Sequence, residues 1–216
     1  MTAKQNNHVL VITGGHDFQP EPFWEMFDSF ENLSYEAETF PNAFQHLSIE
    51  GAKDYDALVF YDMWQEITPA QRAAYVELLN HGVGIVSLHH ALISFREWDE
   101  FNRIVGGVWT TGENTVRHDV RYSVKIADPN HPVTKGIADF EIQDETYKGY
   151  TVDPKVHVLL RTEHQDSAPV LGWTHRYGNS PIVYIQHGHD AMAYGNPNYR
   201  KLVSQAIRWV AASTDA

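Results

Sequence analysis

The chain opens on a short apolar run, Val9-Leu10-Val11-Ile12, that stops at Thr13-Gly14-Gly15-His16. Four apolar residues ending in a glycine pair predict a buried strand opening into a tight turn. Pro20 and Pro22 suit the first turn of a helix, after which Phe23, Trp24, Phe27 and Phe30 recur at helical spacing as a core-facing stripe. A weak alternation from Tyr35 to Phe40 predicts a second strand, and Asp56 to Tyr61 a clearer third. Thr68-Pro69-Ala70-Gln71 joins a hydroxyl cap to a proline at the first helical position, and apolar residues at Ala73, Ala74, Val76, Leu78 and Leu79 continue the strongest helix of the sequence. Asn80-His81-Gly82 stops it, and Gly84-Ile85-Val86-Ser87-Leu88 returns as a fully apolar strand.

Strand and amphipathic helix alternating in this way predict a parallel sheet with right-handed crossovers. From Val108 the rhythm changes. His118 to Ala127 alternates, Val156 to Leu160 and Pro181 to Gln186 are short apolar strands, and Tyr199 to Ala211 is a closing amphipathic helix. Asp144-Glu145-Thr146-Tyr147 reads as an irregular acidic stretch, and His131-Pro132-Val133-Thr134-Lys135-Gly136-Ile137 as a rigid turn with a structural role. The expected fold is α/β: a three-layer, doubly wound, mainly parallel sheet with extra β structure in the second half. A chain of 216 residues builds this as one domain, 1–216.

Composition narrows the partners. Sixteen Lys+Arg against twenty-eight Asp+Glu give a net charge of -12, the wrong sign for nucleic acid or for an anionic membrane surface. The longest apolar runs fall far short of the roughly 20 residues that span a bilayer. Met1 to Asn7 is polar, without the apolar segment of an export signal, so the expected address is cytoplasmic. The chain has no cysteine, which removes disulfides, thiolate nucleophiles and sulfur-ligated metals, but it has thirteen histidines.

In an open parallel sheet, ligands bind beyond the carboxyl ends of the strands. Three such places carry histidine: Gly15-His16-Asp17, Leu88-His89-His90, and Gln186-His187-Gly188-His189-Asp190. The spacing predicts that these loops share one sheet edge, where His16, His89 and His189 are the candidate ligands of zinc or a similar divalent metal. Asp144 and Glu145 add carboxylates able to orient imidazoles, ligate a hard cation or move protons. No His-Glu-x-x-His, Walker lysine, Gly-x-Gly-x-x-Gly or Gly-x-Ser-x-Gly is present, so no nucleotide cofactor is expected. Trp64, Trp109, Trp173, Tyr147 and Tyr194 are available to stack on a sugar ring or to fill the core, and the abundance of aromatics allows a homo-oligomer.

Several pieces in order along the chain carry a family resemblance. They are Val9 to His16, Gly82 to Ala91, Ile104-Val105-Gly106-Gly107, His131 to Ile137, Asp144 to Tyr147, Pro169 to His175, and Gly188-His189-Asp190 with Asn196-Pro197. Gly51 to Asp54 and Glu113 to Arg117 stand outside the matched pieces. Together the pieces resemble ThuA-like (trehalose-utilisation) proteins, whose fold is flavodoxin-like and of the class I glutamine amidotransferase type. Amidotransferases of that fold place a nucleophilic cysteine at the strand-to-helix elbow. Here the elbow resembles Leu88-His89-His90, so glutamine hydrolysis by that route is excluded. The resemblance implies sugar metabolism on a keto-sugar or keto-glycoside, with a divalent metal in some members. It carries over His16, His89, Glu145, His189 and Asp190, with His90, Asp144 and Tyr147 as neighbours.

The first reading is therefore an enzyme that isomerises or cleaves a keto-sugar through an enediolate. His89 or His189 carries the proton, Glu145 and Asp190 orient, and His16, His90, Asp144 and Tyr147 contact the sugar. The alternative is a sugar-binding or regulatory module without catalysis; a third reading gives the histidines to an interface between copies.

Overall fold

The computed structural model describes residues 6–110 and 115–212, so Glu113 and Asn114 of the unmatched segment, and residues 1–5, lie outside the described residues. The first half alternates strand and helix: β1 (Asn7–Gly14), α1 (Pro20–Asp28), β2 (Leu33–Thr39), α2 (Ile49–Ala52), β3 (Ala57–Asp62), α3 (Pro69–His81), β4 (Gly84–Leu88) and α4 (Asp99–Val105). The second half is richer in strands: β5 (Gly107–Trp109), β6 (Thr115–Ile126), β7 (Phe140–Lys148), β8 (Tyr150–Val152), β9 (His157–Arg161), β10 (Val170–Tyr177) and β11 (Ser180–Ile185). Two helices, α5 (Ala191–Tyr194) and α6 (Pro197–Ala212), close the chain.

Among the described residues, nine strands form one sheet in the order β2-β1-β3-β4-β11-β10-β9-β6-β7, and β5 pairs with β8 as a separate ribbon. From β2 to β11 every pairing is parallel, and from β11 to β7 every pairing is antiparallel. The parallel half needs crossovers, and helices supply them on both faces. Alternate side chains of β1, β3 and β4 split accordingly. Val9, Val11, Val59, Tyr61, Val86 and Leu88 pack with α1 and α6, whereas Leu10, Ile12, Leu58, Phe60 and Ile85 pack with α3 and α4. This two-sided burial explains why β3, β4 and β11 consist wholly of buried residues.

Local signals set the helix ends. Thr68 caps α3 in a reciprocal box with Gln71, an arrangement that stabilises a helix by about 1 kcal/mol relative to alanine. Phe23 and Phe27 of the aromatic stripe are buried as expected, while Trp24 lies half-exposed and stacks on Tyr35. In the His131–Ile137 turn, Val133 and Thr134 are fully buried and Thr134 bonds back to the carbonyls of Asp128 and His131.

The sequence reading fails most clearly at Asp144-Glu145-Thr146-Tyr147. The segment is not an irregular acidic turn. It lies in β7, in register with β6, and all four side chains are buried. The paired backbone satisfies the strand, and convergent polar partners, described below, compensate the carboxylates. No helix among the described residues is long and apolar enough to cross a membrane.

Candidate functional site

The carboxyl ends of β1, β4 and β11 bring the three histidine loops to one sheet edge. At the end of β4 the backbone swings through a left-handed conformation at His89, φ 54°, into a 3-10 turn, His89–Ile93. The Tyr184 hydroxyl donates to the His89 carbonyl at 2.8 Å and holds that bend. His89 Nδ1 lies 2.9 Å from the Gln186 carbonyl, which accepts only, so Nδ1 carries a ring hydrogen. Nε2 in turn lies 2.9 Å from the Tyr147 hydroxyl and 3.3 Å from Glu145 Oε2.

Glu145 reaches this point because β6 is bulged opposite it. Arg117 pairs with Thr146 and Val120 with Asp144, so two residues, His118 and Asp119, face one. Asp119 takes φ 56° to accommodate the extra residue, and the bulge aims His118 at the site. Three imidazoles then converge on one buried carboxylate: His89, His189 with Nδ1 at 3.1 Å, and His118 with Nδ1 at 2.5 Å. Burial pushes the Glu145 carboxyl up, but the hydrogen bond from His89 and the positive potential of all three rings hold it below its ordinary value. His189 is lowered, first by burial and against the pull of Glu145.

The preceding residue, Asp144, performs a different task. Its carboxylate accepts from the backbone N–H of Gly188 at 2.8 Å, of His189 at 3.0 Å and of Glu145 at 2.8 Å, tying β7 to the loop after β11. Burial raises it to about 6, against the opposing charge of His89 and these three donors. Gly188 is required there: its φ is 120° and a Cβ would stand 2.3 Å from the Tyr199 hydroxyl. Asp190 does not belong to the cluster in the way the sequence suggested. Its side chain caps α5, accepting from Met192 N and Ala193 N through Oδ1.

His16 also stands further out than expected. It is exposed, its Nδ1 lies 2.6 Å from the Asp17 carbonyl, and its ring rests 4.6 Å from that of His90. His90 is buried and bonded through Nδ1 to the Asp62 carbonyl, while its Nε2 has no partner among the described residues; burial and the charge of His89 push it down to about 2. The rings of His16, His90, His89 and His189 thus form a continuous chain, with 5.0 Å between His89 and His90 and 5.5 Å between His89 and His189.

The donors that fit a divalent metal are accordingly not the three histidines read from the sequence. Ligand atoms of His89, Glu145 and His189 lie within 4.8 Å of one another, and Glu145 replaces His16 because the β6 bulge leaves the carboxylate at the centre. Two imidazoles and a carboxylate suit zinc or a similar ion, and the Nδ1–H of His89 already has the carbonyl partner that metal-binding histidines use. Sequence reasoning missed His118, whose only signal is its place at the start of an alternating run, and Gln186, whose carbonyl sets the His89 tautomer. Of the aromatics, Trp173 and Tyr194 are core, Trp64 is stacked on Phe40, and Trp109 meets Tyr147 edge-on at 5.3 Å.

A half-parallel sheet with helices on its faces and a histidine cluster at a strand-to-helix elbow has the class I glutamine amidotransferase-like fold, here with histidine at the elbow. More narrowly, residues 8–210 match the family model ThuA, described as trehalose utilisation, and the chain belongs to that family. A search of curated proteins gives no match. Among solved structures, a ThuA-like protein from Parabacteroides merdae is similar at 18% identity and TM-score 0.81, covering 96% of this chain and 90% of its own. A second, from Bacteroides uniformis, has 19% identity and TM-score 0.73 over 97% and 93% of the two chains. A GMP synthase component from Thermoplasma acidophilum, at 11% identity and TM-score 0.59, covers 98% of this chain and 96% of its own and shares the fold.

Proposed function

We propose that the protein is an enzyme acting on a keto-sugar or keto-glycoside by removing a proton from the carbon next to the carbonyl. The observation that carries this reading is the convergence of His89, His118 and His189 on the buried Glu145 carboxylate at the ligand-binding edge of the sheet. A histidine whose Nδ1 donates to a carboxylate is fixed in one tautomer and presents a basic Nε2. His189 meets these conditions, remains 27% exposed and is therefore the proton carrier. His89, 1% exposed, holds Glu145 and Tyr147 in place.

In the reaction, the C–H bond breaks, its proton passes to His189 Nε2, and the electron pair forms an enediolate. Return of that proton to the former carbonyl carbon, with the adjacent hydroxyl proton passing to the other oxygen, isomerises the sugar. Alternatively, the enediolate electrons expel a β-oxygen, which takes the proton, and the product is an unsaturated keto-sugar. The Tyr147 hydroxyl is the neutral donor nearest the cluster for the developing oxyanion. A divalent cation held by His89, Glu145 and His189 would supply Lewis-acid polarisation of the carbonyl.

Steady-state assays of a panel of 3-keto-glycosides on tag-free protein test the proposal, together with elemental analysis of the same preparation. His189→Ala and Glu145→Gln are each expected to lower kcat/KM by about 10²–10⁴. Full activity of both variants, or tight calorimetric binding of every sugar with no turnover, overturns it, the second result in favour of a binding module. A stoichiometric metal assigns His189 to coordination and leaves His118 as the proton carrier.

A further inference from the structure

Gln186 follows β11 at a place where an apolar side chain would be expected. The residues before it, Pro181 to Ile185, are all buried, and Gln186 itself is wholly buried. A primary amide taken out of water is costly unless its hydrogen bonds are remade, so its partners show what the chain retains it for. Its backbone serves His89. Ile185 pairs with Leu88 in the parallel β11–β4 ladder, which makes Gln186 and His89 the next residue on each strand. At the left-handed bend of His89 the ring turns to β11, and its Nδ1–H donates to the Gln186 carbonyl at 2.9 Å.

The Gln186 side chain serves Glu145. Nε2 lies 3.3 Å from the Glu145 carbonyl, and Oε1 lies 3.0 Å from the Tyr150 hydroxyl. The Glu145 carbonyl accepts only, which fixes the orientation of the amide: Nε2 donates to Glu145 and Oε1 accepts from Tyr150. The Tyr122 hydroxyl donates to the same Glu145 carbonyl at 3.2 Å. The backbone of the residue that presents the central carboxylate is thereby tied to the end of β11.

We propose that Gln186 is a positioning residue for the cluster. Among the described residues outside β7, it is the one that hydrogen-bonds both His89 and Glu145, and it does so through different groups. Its carbonyl orients the imidazole, and its amide anchors the strand that carries the carboxylate. The 3.3 Å contact between His89 Nε2 and Glu145 Oε2 is the distance this bridge holds. Partners of this kind behind a reacting or ligating histidine matter because small displacements of the working groups are felt strongly in the rate. The inference rests on the keto-sugar reading for its kinetic arm alone.

Nuclear magnetic resonance of the full chain labelled at its histidine ring nitrogens, paired with steady-state kinetics on 3-keto-glucosides, tests this. Gln186→Met keeps an unbranched side chain and the backbone carbonyl but removes the amide. The ring resonances of His89 and His189 are expected to move, because both rings contact the Glu145 carboxylate. Those of His131 and His157, which pack on each other and on Trp209 and Asp128, are expected to stay. In the same variant kcat is expected to fall about tenfold or more while KM stays within about twofold. A residue that only stabilised the fold would change neither below the unfolding temperature. Should Gln186→Met fail to fold, as judged by circular dichroism, Tyr150→Phe removes the donor that holds Oε1 and is expected to move the same two rings and lower kcat about threefold. Unmoved His89 and His189 resonances in a folded variant overturn the proposal, as does a loss carried wholly by KM or an unchanged kcat in an active enzyme. Moved resonances in a protein that turns over no glycoside uphold the bridge and sink the catalytic reading.

Discussion

Asp62 and His90 are neighbours in the fold that are both buried yet provided for unequally. The Asp62 carboxylate accepts from the Ser94 hydroxyl at 2.7 Å and from Trp64 N at 3.2 Å, but among the described residues no cation faces it closely enough to offset burial, which raises it to about 7. Its ordinary value is 3.8. Between those two values the folded chain keeps a proton that the unfolded chain has released, so stability falls as pH rises through this window and levels off above it. Asp62→Asn removes the ionisation while keeping an acceptor for Ser94. We expect it to be near neutral at pH 4 and stabilising by roughly 2–4 kcal/mol at pH 8, read by urea unfolding at the two pH values. An equal effect at both would show that desolvation of the charge is not what Asp62 costs the fold. Side-chain identity after a strand was legible at this scale: His16, His89 and His189 do share one edge. What each ring bonds was not legible, because the Gln186 carbonyl and the Asp17 carbonyl that fix His89 and His16 come from backbone geometry. Asp190 was readable as a cap, being a short acidic residue directly before Ala191-Met192-Ala193, but its place beside His189 suggested catalysis instead.

Among the elements, the strands buried on both faces were the ones the sequence announced. β1, β3, β4 and β11 read as apolar runs because helices cover both sides, and α3 carried its cap and stop signals openly. β7 escaped because three of its six buried positions are Asp144, Glu145 and Thr146, whose burial depends on partners from β6 and from the loop after β11 that no local pattern reveals. β10 escaped for a related reason: Gly172, Thr174 and His175 interrupt its apolar alternation, although Trp173 is wholly buried. The bulge in β6 belongs to the same hidden layer, since register is a property of two strands. Its backbone demand is concentrated at Asp119, with φ 56°, where a β-branched side chain is strained and glycine is not. Asp119→Val is expected to lower stability by about 1–2 kcal/mol and to reduce turnover through displacement of His118, whereas Asp119→Gly preserves both. Thermal unfolding and kcat/KM on the pair check this, and equal behaviour of the two variants would remove the bulge from the explanation of the site.

Across the whole molecule, the cluster exists only where the two halves of the sheet close on each other. His89 comes from the parallel half, Glu145 and His118 from the antiparallel half, and His189 from the loop after β11, the strand where the direction changes. Asp144 is the fastening between them, since its carboxylate binds N–H groups of both β7 and the His189 loop. Removing it strands three buried donors, each costing about 1–3 kcal/mol when left unpaired. Part of that cost is recovered by relaxation of the loop, and a net loss of about 3 kcal/mol corresponds to a midpoint roughly 6–12 °C lower for a domain of this size. Because the loop that relaxes carries His189, Asp144→Ala is also expected to lower kcat/KM by at least about tenfold at a temperature where the variant remains fully folded. Asp190→Ala provides the contrast: it removes only the cap of α5, costs about 1 kcal/mol, and changes kcat/KM by no more than about threefold. Differential scanning calorimetry and steady-state kinetics on the two variants separate fastening from capping. If the two proved indistinguishable, the docking of the sheet halves would owe nothing particular to Asp144, and the position of His189 would have to be set by the aromatic packing around Tyr61 and Tyr194 instead.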